Sequence, residues 1–457
     1  MDSAIRTMPE GFGGVAFQDV TNIHPTALVL LVLLGGAMLF SPRRWAGLPM
    51  MVMACFVPLT QKITLLNLDF NILRIMVLIG AVRVVLRKEY LPFFWNTLDT
   101  WMVGWTISFI AIYTLQQQTV GALINRLGFG FDSVGMYFLF RCFIRTWDDA
   151  DCFIRGLAVL VVPVSLFFFY ENQTGRNLFS IFGGVPSITM MRYGKLRCQG
   201  AFAHPIMAGC FWGSLMPLFA ALWWKSSRWR LWALFALAAS LLIVFCSASS
   251  TPVLAVLCGL VGGLMFFLRY QMRWVRWGLL LLLVGLHLLM KGPVWHLISR
   301  ISAVGGSTGY FRYKLIDEAI RNFPEWALLG TPSTAHWFYG AQDLCNYYVY
   351  QGVMGGALTL GLFIGILTVA FRQVGRLWRR WSGQPYRLAL SWSLGVSVFV
   401  HCANFIGLAY VGTITVLWYW ILAVISSLSG TASRENQGVA GSVPSQGFQM
   451  RREKRTR

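Results

Sequence analysis

Charge is what this sequence lacks most. Charged residues fill 12% of its 457 positions, where an ordinary soluble domain carries about 25%. Acidic residues are scarcest: 17 Asp and Glu stand against 38 Lys and Arg. An ordinary soluble domain is therefore excluded. Cysteine pairs are missing too. The chain has nine cysteines, but Cys55, Cys210, Cys246, Cys258 and Cys402 sit in apolar runs. No C-x-x-C occurs, and no His/Cys cluster has metal spacing, which argues against a disulfide scaffold or a structural zinc. Glycine and proline are modest, at 45 and 16, so collagenous and low-complexity chains are excluded. No internal period or inverted repeat is visible. The first 25 residues have no basic start and carry Asp2, Glu10 and Asp19, so no signal peptide is expected there.

What the chain does have is apolar length. Hydrophobic residues make up 56%, with 20 Trp and 34 Phe, and the mean hydropathy is +0.60. A helix needs roughly 20 apolar residues to cross a bilayer. The expected fold is all-α, a polytopic transmembrane bundle of about 12–13 spans. Their cores fall near 26–40, 47–60, 72–85, 101–113, 134–143, 157–169, 206–222, 232–246, 253–267, 279–289, 348–371, 388–407 and 410–427. Aromatic residues cluster at several span ends, as an interfacial belt would.

The loops fall into two alternating sets. One comprises 41–46, 82–100, 141–155, 224–231, 269–276, 372–387 and everything after 428. The other comprises the N-terminal arm, 61–71, 115–133, 170–205, 248–252 and 290–347. The first set holds about twice as many Lys and Arg, so the positive-inside rule makes it cytoplasmic. The expected organisation follows. An external arm (1–25) precedes ten helices (26–290) that carry the external loop 170–205. A long external loop (291–347), three more helices (348–428) and a disordered basic cytoplasmic tail (429–457) complete it. The tail ends Arg451-Arg452-Glu453-Lys454-Arg455 and suits anionic lipid. A net charge of +21 would suggest nucleic acid in a soluble protein. Here the positive-inside rule explains part of it and lipid phosphate explains more, so no nucleic-acid partner is expected.

The unexpected polar chemistry lies in the two long external loops. In the second, Ser307-Thr308-Gly309 offers caps and Pro324 a stop for a short amphipathic helix. Phe311, Leu315, Ile316, Ala319, Ile320 and Phe323 form its apolar face; Lys314, Asp317, Glu318 and Arg321 lie opposite. Arg312 falls in the middle of the apolar face. It either snorkels to water or points inward to meet an anion. The first loop contains Met191-Arg192-Tyr193-Gly194-Lys195-Leu196-Arg197. Three cations in six residues, on the external side, read as a solvated face or as an anion-binding loop, because arginine binds phosphate oxygens bidentately. Arg197 and Arg312 are expected to converge on one cavity, with Arg192, His204 and Arg300 nearby.

These residues carry a resemblance. Arg197-x-x-Gly200-x-Phe202-x-His204-Pro205 resembles the R-x-x-G-x-F-x-H-P-N stretch of the O-antigen ligase and polymerase superfamily, with Ile206 in the last place. The break Ser247-Ala248-Ser249-Ser250 resembles the family's Ser-Arg break without its Arg. The external Arg-bearing helix, then Leu329-Gly330-Thr331-Pro332, then Asp343-Leu344-Cys345-Asn346-Tyr347 before Gly352 and Gly355, follows the family layout, with Cys345 where His is usual. The resemblance covers roughly residues 197–361. It implies a metal-independent, cofactor-free glycosyltransferase of the bacterial inner membrane. Such an enzyme passes a glycan from an undecaprenyl-pyrophosphate carrier to a growing polysaccharide or a lipid A core. It serves O-antigen or exopolysaccharide biosynthesis. The implied catalytic residues are Arg197, Arg312, and Asp343 or His336 as base. The implied substrate-binding residues are Arg192, Lys195, His204, Arg300, Arg321 and Asn346. The implied partners are the carrier-linked glycan, the bilayer, and a chain-length regulator or export machinery. Two alternatives stand beside this reading: a transporter or flippase of lipid-linked sugars, and a non-catalytic subunit of a polysaccharide assembly machine.

Other signals read as structural. Asp149-Ala150-Asp151 is an Asp-x-Asp, but Thr146 three residues before Asp149 makes a capping box. His287 and His401 lie in apolar helices and read as core. Cys198 and Cys345 are both external and could pair. Arg74, near Asp69 and Asn71, is either an interfacial anchor or a carrier-phosphate contact.

Overall fold

The computed structural model describes residues 21–65, 68–91, 93–300 and 309–441, with side chains as far as residue 430. Most of the N-terminal arm and the basic run 451–455 lie outside the described residues. Each predicted span core falls on a helix. In chain order these are α1 (Pro25–Phe40), α2 (Leu48–Phe56), α3 (Ile72–Leu86), α4 (Thr97–Gln117), α5 (Val120–Phe143), α6 (Trp147–Thr174), α7 (Pro205–Ala221), α8 (Ser227–Cys246), α9 (Ser250–Leu264) and α10 (Met272–Leu289). The long loop after α10 contributes α11 (Gly309–Arg321) and α12 (Phe323–Trp326). Then come α13 (Tyr347–Arg380), α14 (Pro385–Gly407) and α15 (Thr413–Gly441). Among the described residues, 9 helices are long and apolar enough to cross a membrane: α4, α6 to α10, and α13 to α15. The chain is an all-α polytopic bundle.

The other four apolar helices are shorter or more charged. α2 has nine residues, about 14 Å of rise, and so reaches only part of the way expected of 47–60. Val57 turns extended before Pro58, because a residue preceding proline is pushed out of the helical region. α5 departs the other way. Its first half, expected as an external loop, is helix, and only Gln118 and Thr119 separate it from α4. Arg126 and Asp132 lower the hydropathy there, and the fold absorbs both. Arg74 of α3 grips Asp132 through two bonds of 2.8 Å. That grip assigns Arg74 to an ion pair. Arg126 lies against aromatic rings of α4.

α15 is the centre of the bundle. From Ile414 to Ile425 its side chains are buried apart from the half-buried Thr415. A helix apolar on every face belongs in such a place. It packs on α5, α13, α7 and α14. It also continues as helix to Gly441, into the stretch expected as a disordered tail. α10 is the opposite case, with no buried residue. Near the expected cytoplasmic ends, Asp99 of α4 is fully buried and paired with Arg141 of α5 at 3.0 Å. Asp149 forms the expected capping box with Thr146, while Asp151 pairs with Arg155 and Lys225. The Asp-x-Asp is thus structural.

Strands are few. Among the described residues, β1 (Lys62–Leu65) pairs antiparallel with β2 (Leu68–Asn71). β3 (Met191–Arg192) pairs with β4 (Lys195–Leu196) across a two-residue turn. Tyr193 and Gly194 both have positive φ, 50° and 72°, as a tight hairpin turn requires.

The expected orientation makes a direct prediction. Reporter fusions at Gly292 and Gln384 should report opposite compartments, Gly292 outside and Gln384 inside. The same compartment for both would break the topology.

Candidate functional site

The stretch from Arg197 to Pro205 is shaped residue by residue. Glu171, buried near the end of α6, accepts hydrogen bonds from Gln199 N at 3.1 Å, Gly200 N at 2.9 Å and Thr189 Oγ1 at 3.1 Å. One carboxylate thus fixes the loop. Gly200 has φ +57°, and a Cβ there would lie 2.7 Å from the Phe168 ring. Glycine is required on both counts. Phe202 is fully buried, 5.4 Å from Phe211. His204 caps α7, its side chain accepting from Ile206 N at 3.1 Å, with Pro205 in the first turn. The pair His24-Pro25 starts α1 in the same way. His-Pro is therefore a helix-start signal in this chain.

The two arginines then meet the start of α9. Arg197 Nη2 donates to Ser249 Oγ at 2.8 Å, and Arg312 Nη2 donates to Thr251 Oγ1 at 2.9 Å. Ser249 is the N-cap of α9 and Thr251 lies two residues on. Ala248, in the break before them, has φ +43°, a sparsely populated conformation of the kind found at functional sites. Arg197 is 5% exposed and Arg312 9%. Both are held by hydroxyls rather than carboxylates, and the Nε of each has no partner. A helix N-terminus adds partial positive charge. Burial and the Arg192 charge both oppose ionisation of Arg197. Neither arginine forms an ion pair among the described residues.

Gly407, the last residue of α14, packs closely against Arg312 and Thr251. A Cβ there would lie 3.1 Å from Arg312 Cζ. α11 places Arg312 inward as expected, but its buried face is rotated. Leu315, Asp317 and Ala319 are buried, while Ile320 and Phe323 are exposed. Asp317 accepts from Trp295 Nε1 at 3.1 Å and pairs with Arg321 at 2.9 Å. That pairing is what lets an acidic residue turn inward.

The other expected residues divide. Asp343 is exposed and feels the Arg312 charge. Its surroundings raise the carboxyl above the usual range, and Arg312 offsets this only in part. His204 lies within reach of the Arg197 and Arg192 charges. Burial first, then those two cations, push it down to about 4. Arg192 and Lys195 face each other across the hairpin, both exposed. His336 lies apart from them, 3.0 Å from Glu325 on the loop after α12. Burial raises the Glu325 carboxyl, but hydrogen bonds from Thr331, Trp337 and His336 bring it below the usual range. Arg321 is exposed and paired to Asp317. Arg300 is exposed at the end of a 3₁₀ turn. Asn346 sits at the start of α13 and is 1% exposed. Its Oδ1 caps α13 on Tyr348 N and Val349 N, and its Nδ2 binds Ile406 O at 3.2 Å. These bonds position the helix and use one of the two Nδ2 donors. Cys198 does not face Cys345. Its N–H donates to Cys246 O at 3.0 Å, and the two thiols interact.

Residues that the motif did not flag complete the site. Glu171 had one signal, a carboxylate at the end of an apolar span. Ser249 and Thr251 had only the small-residue break before α9. Gly407 had none, because its role depends on a partner from another element.

His204 makes a pH prediction. Its folded value lies below the ordinary 6.5, so the unfolded chain binds more protons between pH 6.5 and 4. Stability is fully present above that window and is lost as pH falls through it. The loss should reach about 1–3 kcal/mol, allowing for partial exposure. His204→Asn keeps a cap acceptor but does not titrate. Its melting temperature should fall less than the wild type's between pH 7 and 4.5. Equal slopes would exclude His204 as the source.

No protein-family model matches the chain, and no curated protein matches it either.

Proposed function

We propose that this chain joins glycan units carried on a polyprenyl pyrophosphate, as a membrane glycosyltransferase of the O-antigen ligase and polymerase type. One observation carries the reading: two buried arginines from separate loops meet at one helix start, each bonded to a hydroxyl and neither in an ion pair among the described residues. A pyrophosphate leaving group is the anion this suits. The acceptor hydroxyl attacks the anomeric carbon, and the carbon–oxygen bond to the pyrophosphate breaks. The bonding pair leaves with the pyrophosphate, whose growing charge the guanidinium groups stabilise. The hydroxyl proton passes to a base within reach. Asp343 is the favoured base, because it feels the Arg312 charge and its carboxyl is raised, whereas His336 is paired with Glu325. The reading places the reaction on the outer face of a bacterial inner membrane.

One feature favours a transporter of the same lipid. α13 is broken at Gly356, with φ +67°, and broken spans mark many transport sites. Here the break is held by loop backbone. Ala357 N donates to Ala327 O at 2.8 Å, and Thr331 N to Val353 O at 2.9 Å. That supports a rigid seat for the outer loop, and so an enzyme.

The test uses membranes supplied with carrier-linked glycan. Asp343→Asn should slow chain growth at least about tenfold, and His336→Ala should leave it unchanged. If both variants grow chains at the wild-type rate, neither residue is the base.

A further inference from the structure

Cys198 and Cys246 carry free thiols that meet. Cys198 follows Arg197 in the loop before α7, and Cys246 is the last residue of α8. The final carbonyls of a helix have no partner within it. Cys198 N supplies one here, donating to Cys246 O at 3.0 Å. By bond lengths alone, that contact keeps the two Cα atoms within about 7 Å. A disulfide spans about 4.4–6.8 Å. The side chains also turn toward each other, because the two thiols are hydrogen-bonded. Both residues are sealed from solvent, Cys198 at 0% exposure and Cys246 at 1%. The bond to Cys246, burial and the Glu171 charge all keep the Cys198 thiol protonated. Thiol exchange needs a thiolate, so the closed fold is inert.

The thiol pair sits beside the arginine contact. Arg197, next to Cys198, donates to Ser249 Oγ at 2.8 Å. Ser249 follows Cys246 by three residues, across the Ala248 turn, and its Oγ donates to Ser247 O at 2.9 Å. Glu171 of α6 holds the same loop from its other side, through Gln199 N and Gly200 N. A covalent bond between Cys198 and Cys246 would therefore fix the loop to α8 at the point where Arg197 reaches the start of α9.

We propose that Cys198 and Cys246 are oxidised to a disulfide that clasps the Arg197 loop to the end of α8. The oxidant is a protein disulfide of an oxidising compartment, on the side where the expected topology puts both residues. One cysteine, as thiolate, attacks a sulfur of that disulfide and releases the other sulfur as a thiol. The second cysteine attacks the mixed disulfide, the Cys198–Cys246 bond forms, and the oxidant leaves as a dithiol. Two electrons and both cysteine protons pass to it. The exchange precedes closure of the loop, since the packed thiols are out of reach. The clasp does not depend on the glycosyltransferase reading. To test it, membranes carrying the full chain are quenched in acid, dissolved in SDS and treated with a maleimide polymer that adds a fixed mass per thiol. In the wild type, seven of the nine cysteines should react before reduction and all nine after it. Mass spectrometry should find tryptic peptides joined through Cys198 and Cys246. Cys198→Ser and Cys246→Ser should each show eight thiols with or without reductant. Nine reactive thiols in the unreduced wild type overturn the proposal, and so does a link between other cysteines. Trypsin added to the folded chain in nanodiscs tests the clasp. The variant with both serines should be cut after Arg197 at least about tenfold faster than wild type, because cutting follows the population of the opened loop. Cutting after the exposed Arg321 should not change. Equal rates at Arg197, or an equal rise at Arg321, overturn the fastening role.

Discussion

Arg312→Ala should leave the protein inserted and abundant, yet abolish long-chain polysaccharide and leave single repeat units on the carrier. Removing one member of a preorganised charge site costs about 10²–10³-fold in rate. Arg312 is a strong test because its fold partners are weak. It donates to Thr251 Oγ1 at 2.9 Å and interacts with the Cys345 thiol, and it forms no ion pair among the described residues. The helix that carries it is anchored independently through Leu315 and Ala319, which pack with Trp326 and Trp337. Arg312→Lys should restore the rate only in part, since the fork geometry is lost. Normal chain length in Arg312→Ala membranes would remove the arginine from the mechanism.

The largest effect on stability should come from the opposite end of the bundle. Arg141→Ala strands Asp99, which has no exposed surface. Tyr137 OH at 2.6 Å, Asn96 N at 2.7 Å and Ser426 Oγ at 3.2 Å remain as donors. None of them carries a charge. An uncompensated buried carboxylate costs about 3–5 kcal/mol. Arg321→Ala is the control: its ion pair is 68% exposed on the arginine side, and such pairs contribute about 0–1 kcal/mol. Thermal unfolding in detergent should separate the two variants widely. A similar melting temperature for both would contradict the pairing that closes α4, α5 and α15 together.

These two sites differ in how they can be read from the chain. Arg312 is visible because a helical wheel puts it among Leu315 and Ala319, a local pattern of period 3.6. Asp99 and Arg141 lie 42 positions apart, and nothing local links them. The same holds for Arg74 and Asp132, 58 positions apart. Without that pairing, 115–133 looks too charged for a helix. The centre of the bundle was easier. α15 is apolar on every face, and burial follows directly. The motif from Arg197 to Pro205 is legible as a pattern, but its physics is not. Glu171, which holds the loop, and Ser249, which receives Arg197, are reached through long-range backbone geometry. The break at Gly356 depends likewise on the Ala327–Thr331 loop that fills it.

The most direct test of the account is a reconstituted reaction. The purified chain goes into liposomes with one purified carrier-linked glycan as the only substrate. The account predicts carrier-linked chains of increasing length, with one free polyprenyl pyrophosphate released per bond formed, and loss of both products in Arg197→Ala and Arg312→Ala. Movement of the intact glycan lipid between leaflets, with no chain extension and no pyrophosphate release, would contradict it.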